Sequence, residues 1–213
     1  MRFRLASAAA FCCVVAFCCM ASLAGAQAAL PSLTSQRIVT PLSVDFTASG
    51  FDSVTWAEDS PTLTQLGLDL TAGLEYTTPI SMPIRLEVGY IGFASSGISS
   101  DGEQYRAWQG ARFALLTGYN FAPLSIEGLG KLKLALLAGG AVTAAEYTDT
   151  ALAYAYPSIV LEPRALLALN GIFGGDDTGP YITLPTELMF RAGNYSLAPG
   201  VGLGFRYRII GIN

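Results

Sequence analysis

The sequence TLTQLGLDLTAGLEYT, residues 62–77, decides the fold because its polar and apolar residues alternate without interruption. Such alternation predicts a β-strand, since successive side chains of a strand point to opposite faces of the sheet. One face carries Leu66, Leu68, Leu70, Ala72, Leu74 and Tyr76, and the other carries Gln65, Gly67, Asp69, Thr71, Gly73 and Glu75. This segment of 16 residues is far longer than a usual strand. We therefore predict a long strand with one apolar and one polar face.

Seven further segments alternate in the same way and are separated by stretches rich in turn residues. Together with residues 62–77 they predict eight strands, at 39–48, 62–77, 83–95, 105–121, 131–147, 156–169, 181–191 and 197–209. The last segment shows the pattern well, because Leu203, Phe205 and Tyr207 alternate with glycines and arginines. No segment after residue 26 has about 18 consecutive apolar residues, the length of a membrane helix.

Charged side chains concentrate on the polar phase of these strands. The predicted charge network on this phase contains Asp69, Glu75, Arg85, Glu87, Arg106, Arg112, Lys131, Lys133, Glu162, Arg164, Glu187, Arg191, Arg206 and Arg208, and Asp45 shares the phase. Alternation alone does not say which face meets water, since a soluble barrel or sandwich turns its apolar phase inward. Charged residues make up 13% of the chain, about half the usual share of a soluble domain. We therefore predict an all-β, eight-stranded antiparallel up-and-down transmembrane barrel, with lipid outside and neutralised charges in the lumen.

This orientation assigns distinct environments to the two phases. Leu68, Leu70, Leu134 and Leu203 are expected to contact hydrocarbon near strand centres. Inward glycines are expected to relieve crowding in a narrow lumen. Leu134→Arg is predicted to impair insertion, whereas Gly139→Ser, on the other phase, is predicted to be tolerated. Aromatic residues near strand ends are expected at the headgroup level of the membrane, namely Phe46, Tyr76, Tyr90, Phe121, Tyr147, Tyr181 and Tyr207. A rim or interface role is favoured for Trp56 and Trp108 over ligand binding.

The amino terminus predicts export. Arg2 and Arg4 precede an apolar run at 5–23, and the small residues at 24–26 fit a signal peptidase site. The predicted organisation is a signal peptide at 1–26, an N-terminal periplasmic segment at 27–38 and an outer-membrane β-barrel at 39–213. The alternatives are a retained anchoring helix and lipidation at Cys18 or Cys19. Both chain ends are predicted to face the periplasm, with outer loops at 49–61, 96–104, 148–155 and 192–196 and longer inner turns at 122–130 and 170–180.

Composition removes several classes of function. All four cysteines lie within residues 1–26, and the chain has no histidine. The commonest general base and the commonest transition-metal ligands are therefore missing from the barrel, so we expect neither an enzyme nor a cofactor. Loss of the signal with its two arginines changes the formal net charge from −4 to −6. An acidic chain repels phosphate backbones, so we expect no nucleic-acid partner.

A resemblance to a known family follows from the last strand. The residues GLGFRY, at 202–207, are similar to the G-x-x-aromatic-x-aromatic signal that the barrel assembly machinery reads, with Gly202, Phe205 and Tyr207 at the signal positions. The whole chain after the signal resembles the small eight-stranded outer-membrane barrels of diderm bacteria, a group with OmpA, OmpX and OmpW types, and is most similar to the OmpW type. The resemblance implies a bacterial cell outer-membrane location after export through the periplasm. It also implies contact with outer-membrane lipid and with the assembly machinery.

Two functions are consistent with this expectation. The first is porin-like or passive uptake of a small hydrophobic solute, which enters at the outer loops and leaves sideways into the membrane. The second is a structural or surface-interaction barrel, whose plugged lumen displays extracellular loops to a host surface ligand. An open aqueous pore is not expected, because the lumen of an eight-stranded barrel is just wide enough for its own side chains.

Overall fold

The computed structural model describes residues 42–57, 60–95, 106–147, 153–169, 177–191 and 194–209, without the side chains of 57, 60–63, 153 and 191. The predicted signal peptide and N-terminal segment lie outside these residues. The strands are β1 (Leu42–Ala57), β2 (Ser60–Thr77), β3 (Pro83–Phe93), β4 (Trp108–Asn120), β5 (Leu124–Ile126), β6 (Gly130–Tyr147), β7 (Ala153–Leu169), β8 (Gly179–Thr183), β9 (Thr186–Arg191) and β10 (Asn194–Ile209). No described stretch forms a helix long and apolar enough to cross a membrane.

The strands pair into one antiparallel sheet that closes on itself. The closing pair is β1 with β10, which runs from Leu42 opposite Ile209 to Ala57 opposite Asn194. β5 pairs with β6 beyond the end of β4, so β4 and β5 together form one barrel strand. β8 and β9 both lie between β7 and β10 and form another. The ring therefore has eight strands in up-and-down order, which confirms the predicted fold.

Pro163 explains why β8 and β9 are separate. In an antiparallel strand the N–H and C=O of one residue point to the same neighbour. The oxygen of Pro163 accepts a hydrogen bond from Leu184 N at 3.0 Å. The N–H that proline lacks would have pointed to the same neighbouring strand, so that strand loses one acceptor's partner there. The neighbouring strand is interrupted there, between Thr183 and Thr186. A bond of 2.7 Å from Gly200 N to Pro185 O keeps the interruption attached to β10.

Three predicted connections, at 49–61, 122–130 and 192–196, are wrong because strands occupy most or part of them. Most of the predicted outer loop at 49–61 is strand, since β1 ends at Ala57 and β2 begins at Ser60. The predicted inner turn at 122–130 contains β5 and a short turn, in which Gly128 has φ of 74°. Glycine adopts this left-handed conformation without steric cost. In the predicted outer loop at 192–196, β10 already begins at Asn194. The predicted outer loop at 96–104 lies outside the described residues, as do parts of those at 148–155 and 170–180.

The two faces of the wall differ sharply in polarity. The outer face exposes large apolar side chains such as Phe46, Leu66 and Leu203, which are 67%, 70% and 66% accessible. The inner face buries charged side chains, among them Glu75 at 1% and Arg85 at 0%. The polar phase therefore points into the lumen and the apolar phase points outward.

Gly139 corrects one expectation about the lumen. Strand β6 passes so close to β4 that a Cβ added at Gly139 would collide with the backbone oxygen of Leu115 and lie 2.9 Å from the Cα of Leu116. Backbone atoms cannot rotate away as a flexible side chain can. The predicted tolerance of Gly139→Ser is therefore wrong. The space beside Gly139 is occupied by the backbone of β4, and the absence of a side chain permits the two strands to approach.

We expect Gly139→Ala to lower the free energy of unfolding by about 1–3 kcal/mol, the usual cost of overpacking. Gly50→Ala is the matched control, since a Cβ at Gly50 would meet nothing within 4 Å. Urea unfolding of the two purified variants in the same detergent provides the measurement. Equal stability of both variants would contradict the close approach of β4 and β6.

The lumen as the candidate functional site

The lumen is filled by charged side chains that the strand alternation turns inward. Ten of them are buried, namely Asp45, Asp69, Glu75, Arg85, Glu87, Arg112, Glu162, Arg164, Glu187 and Arg206. Neighbouring strands contribute opposite signs, as when Glu75 of β2 lies opposite Arg85 of β3. Burial of an ion is costly unless it is paired and hydrogen-bonded. The contacts of these side chains therefore decide whether the lumen is stable.

Asp45 is the centre of one group of contacts. Its carboxylate pairs with Arg85, and it lies 3.8 Å from Nη1 of Arg164 and 4.0 Å from Nε of Arg206. The hydroxyl of Tyr181 donates to Asp45 Oδ1 at 3.1 Å. One carboxylate therefore holds three guanidinium groups together.

A second group surrounds Arg112. Its Nη1 lies 2.8 Å from Glu87 Oε2 and 3.8 Å from Asp69 Oδ2, and its Nε lies 3.1 Å from Glu187 Oε2. Glu87 also pairs with Arg85 and so joins this group to the Asp45 group. Three carboxylates around one guanidinium leave a local excess of negative charge.

Arg164 connects the remaining members. Its guanidinium lies 2.6 Å from Glu162 and 3.3 Å from Glu75, and it stacks 4.6 Å above the ring of Tyr181. Glu75 in turn pairs with Arg206. Thr183 donates a hydrogen bond of 2.9 Å to Glu162. The ten buried charges therefore form one continuous network.

Glycines make the space that the largest inward side chains occupy. A Cβ at Gly73 would lie 2.5 Å from Cζ of Arg85, and a Cβ at Gly204 would collide with the ring of Tyr181. Each glycine lies on the inner phase of a strand opposite or diagonal to the bulky side chain. The sequence places these glycines and bulky residues so that their volumes complement each other.

Several predicted network residues lie outside this cluster. Lys133 and Arg208 form a separate, half-buried group with Asp177, whose Oδ2 lies 3.1 Å from Nη1 of Arg208. Arg106 is exposed and lies two residues before β4 begins. Lys131 is partly exposed and lies beside the β5–β6 turn. The side chain of Arg191 is not among those described.

The sequence analysis did not predict several residues that contribute to the lumen network. Tyr181 was expected at the headgroup level, but it is 2% exposed and lies in the lumen. Tyr181 lies an even number of residues from Thr183 and Glu187, so strand alternation places all three on the inward face. Ser158 was also missed and contacts Glu187 at 2.5 Å. Asp45 lay on the correct phase, but its central role depends on side-chain geometry that alternation does not reveal.

An aromatic cluster fills the lumen towards the end of the barrel where β1 and β2 are connected. It contains Phe51, Ile91, Phe93, Trp108, Ala145, Tyr156, Met189 and Ala198. The ring of Trp108 lies 4.8 Å from Phe93 and 5.6 Å from Tyr156. The rim role predicted for Trp108 is therefore wrong, because the residue is 1% exposed inside the lumen. Trp56 instead stacks on Tyr195 at 5.4 Å, on the outward phase.

The residues of the predicted assembly signal occupy both faces of β10. Gly202 is inward, where an added Cβ would meet Ser49 and Thr183. Phe205 and Tyr207 are outward and exposed. Among the described residues, no set of three or more acidic, histidine or cysteine side chains is arranged to hold a metal ion.

Comparisons with known proteins find structural similarity at low identity. No protein-family profile and no curated protein sequence matches the chain. The N-terminal β-barrel domain of Pseudomonas aeruginosa OprF is 15% identical with a TM-score of 0.43, and the match covers 78% of this chain and 97% of that chain. Neisserial surface protein A, NspA, is 9% identical with a TM-score of 0.47, covering 77% and 97%. Ail, the attachment invasion locus protein of Yersinia pestis, is 14% identical with a TM-score of 0.37, covering 78% and 99%.

These similarities are too low to assign a family. The architecture therefore rests on the strand pairing described above, and the OmpW-like resemblance stays a prediction.

Asp45→Asn tests the network at its centre. We expect it to lower the free energy of unfolding by about 3–5 kcal/mol, because it leaves buried guanidinium groups without their shared counter-charge. Asp52→Asn is the matched control on the same strand, since Asp52 faces outward and is exposed. Urea unfolding in detergent compares the two variants. A loss below 1 kcal/mol for Asp45→Asn would show that the network does not stabilise the barrel.

Proposed function

We propose that this chain is a non-catalytic outer-membrane β-barrel with a closed lumen, which displays one end of the barrel at the cell surface. The observation that carries the proposal is the inverted polarity of the wall. A soluble protein rarely exposes an apolar patch larger than a few hundred square ångströms. This wall exposes large apolar side chains on strand after strand around the ring, including Leu70, Leu86, Phe113, Leu136, Ile159, Ile182 and Val201.

A membrane explains the wall and the lumen together. Lipid requires that every backbone polar group is satisfied within the protein, and a closed barrel meets this requirement because it has no free edge. Hydrocarbon outside also leaves the lumen as the place where charges can be paired. The chemistry of the wall therefore supports outer-membrane lipid as a partner. Export through the periplasm and contact of β10 with the barrel assembly machinery are part of the same proposal.

The filled lumen favours display over uptake. The ion network and the aromatic cluster occupy successive parts of the interior, and Arg85, Trp108 and Leu116 are at most 1% exposed. A solute that crossed the barrel would have to break several buried ion pairs, each costing several kcal/mol. No comparable feature of the interior supports porin-like uptake, which is the first of the two functions that the sequence predicts.

One side of the barrel is suited to display. At the closed end of the first hairpin, Ala57 pairs with Ser60, whereas the β2–β3 pairing stops at Gly67 opposite Phe93. The hairpin therefore extends beyond the pairing with β3, and its outward-facing Trp56 stacks on Tyr195 of the neighbouring strand β10. Aromatic side chains supply large contact areas at protein interfaces. We propose this extension as the contact surface for a host surface ligand.

The membrane location is tested by Leu203→Arg. We expect this variant to lose about 2–4 kcal/mol of folding free energy in phospholipid vesicles, the cost of arginine near the middle of the membrane. Tyr195→Arg is the matched control, since it lies on the same outward phase of the same strand but near its end. The control should lose about 0–1 kcal/mol. Recovery of the wild-type barrel as a soluble monomer without detergent would contradict the location.

The closed lumen is tested in liposomes. We expect the purified barrel to give no more swelling in a sugar solution than empty liposomes, because the buried network and the aromatic cluster fill the interior. Liposomes that contain an open porin serve as the positive control. Swelling above the empty-liposome level, at matched protein content, would contradict the closed lumen and favour uptake.

A further inference from the structure

The barrel has a second polar site, at the end where β1 begins and β10 ends. A cavity of about 350 Å³ opens there, beside but outside the centre of the buried network. Its inward lining includes Lys133, Arg164, Arg206 and Arg208, whereas Tyr119, Phe121 and Leu134 of its lining belong to the outward apolar phase. A single cavity therefore touches both cationic groups of the lumen and apolar groups of the wall.

An interruption of the wall explains this double lining. β4 ends at Asn120 and β5 begins at Leu124, so residues 121–123 separate two parts of one barrel strand. Pro123 lies in this gap and has no N–H to donate to a ladder. Phe121 N still donates to Leu134 O at 2.9 Å, which holds the gap against β6. The cavity reaches the outer face of the barrel at this place.

The charges around the cavity favour an anion. Four cationic side chains line it, and Asp177 is the acid among its lining residues. Lys133 and Arg208 have Asp177 as their acidic partner, whereas Arg164 and Arg206 also pair with acids of the buried network. Arg164 and Arg206 are 4% and 7% exposed, and the Nε of each donates no hydrogen bond to a described residue. Unused donors on buried cations are costly unless a further acceptor satisfies them.

Asp177 shows what kind of group these cations accept. Its two carboxylate oxygens contact Nζ of Lys133 and Nη1 of Arg208 separately. The two cations therefore converge on a single anionic group that lies at the mouth of the lumen. Both cations and the aspartate are half-buried, so an incoming anion can compete with Asp177 from solvent.

We propose that this cavity binds a single-chain anionic amphiphile, such as an alkyl phosphate. The headgroup binds between Lys133 and Arg208 in place of the Asp177 carboxylate and accepts hydrogen bonds from the deeper arginines. The alkyl chain leaves through the gap at 121–123 and lies along Tyr119, Phe121 and Leu134. The site does not require transport, because the ligand enters and leaves at one end of a closed lumen.

Dodecyl phosphate titrated into the purified full barrel in a non-ionic detergent tests the site, with ³¹P chemical shift as the readout. We expect saturable binding of one molecule per barrel. Lys133→Gln and Arg208→Gln should each weaken binding about tenfold, since each removes a charge-assisted hydrogen bond. Asp177→Asn should tighten binding, because it removes the carboxylate that competes for the same two cations. Heat-modifiable migration on a detergent gel verifies the fold of each variant before titration.

Two comparisons separate this site from non-specific attraction. Lys131→Gln is the matched control, since Lys131 is two positions before Lys133 on the same phase of β6 but does not line the cavity. It should change the affinity less than twofold. Inorganic phosphate should bind much more weakly than dodecyl phosphate. Binding that does not saturate, equal loss in Lys131→Gln and Lys133→Gln, or equal affinity for inorganic phosphate would each overturn the proposal.

Discussion

The mutual pairing of ten buried charges is the constraint on which the rest of the structure depends. Alternation in eight strands produces one apolar face and one charged face, and the charged face must be either hydrated or neutralised by ion pairing. Alternation alone permits either orientation of the two faces, and the wall observed here turns the charged face inward. With the charges inside, four arginines and six acids share partners, and Asp45 connects three of the arginines.

The network also sets the shape of the interior. Guanidinium groups and rings are bulky, so the neighbouring strands carry glycine where these groups lie, as Gly73 does diagonally from Arg85 and Gly204 does opposite Tyr181. Beside Arg112, the small apolar cluster around Leu116 and Leu137 fills the volume that ion pairs do not occupy. The lumen is therefore packed like a protein core, with polar side chains in place of most apolar ones. Such packing fits a rigid scaffold that presents its ends better than it fits a conduit.

Alternation predicts the strands well because each residue must stay on its own face. A shift of one residue would move charged side chains to the wall and apolar side chains to the lumen. Alternation failed where both phases carried similar residues. In residues 49–57 the inward Phe51 and the outward Gly50 and Asp52 weaken the contrast, so the pattern predicts a loop where β1 continues. Trp108 and Tyr181 were assigned by residue type instead of by phase, and both assignments were wrong. The close approach at Gly139 and the convergence of arginines on Asp45 depend on the pairing register of distant strands, which a single sequence does not specify.

The position of each indole ring relative to lipid tests the inverted barrel most directly. The chain has two tryptophans, so the variant W56F retains only the indole of Trp108, and the triple variant W56F/W108F/L203W has its only indole at position 203. Both are folded into vesicles of phospholipids with brominated acyl chains, and their fluorescence is compared with that in unbrominated vesicles. The account predicts strong quenching at position 203 and little quenching of Trp108, because only the outward phase touches acyl chains. Strong quenching of Trp108 together with no quenching at position 203 would contradict it.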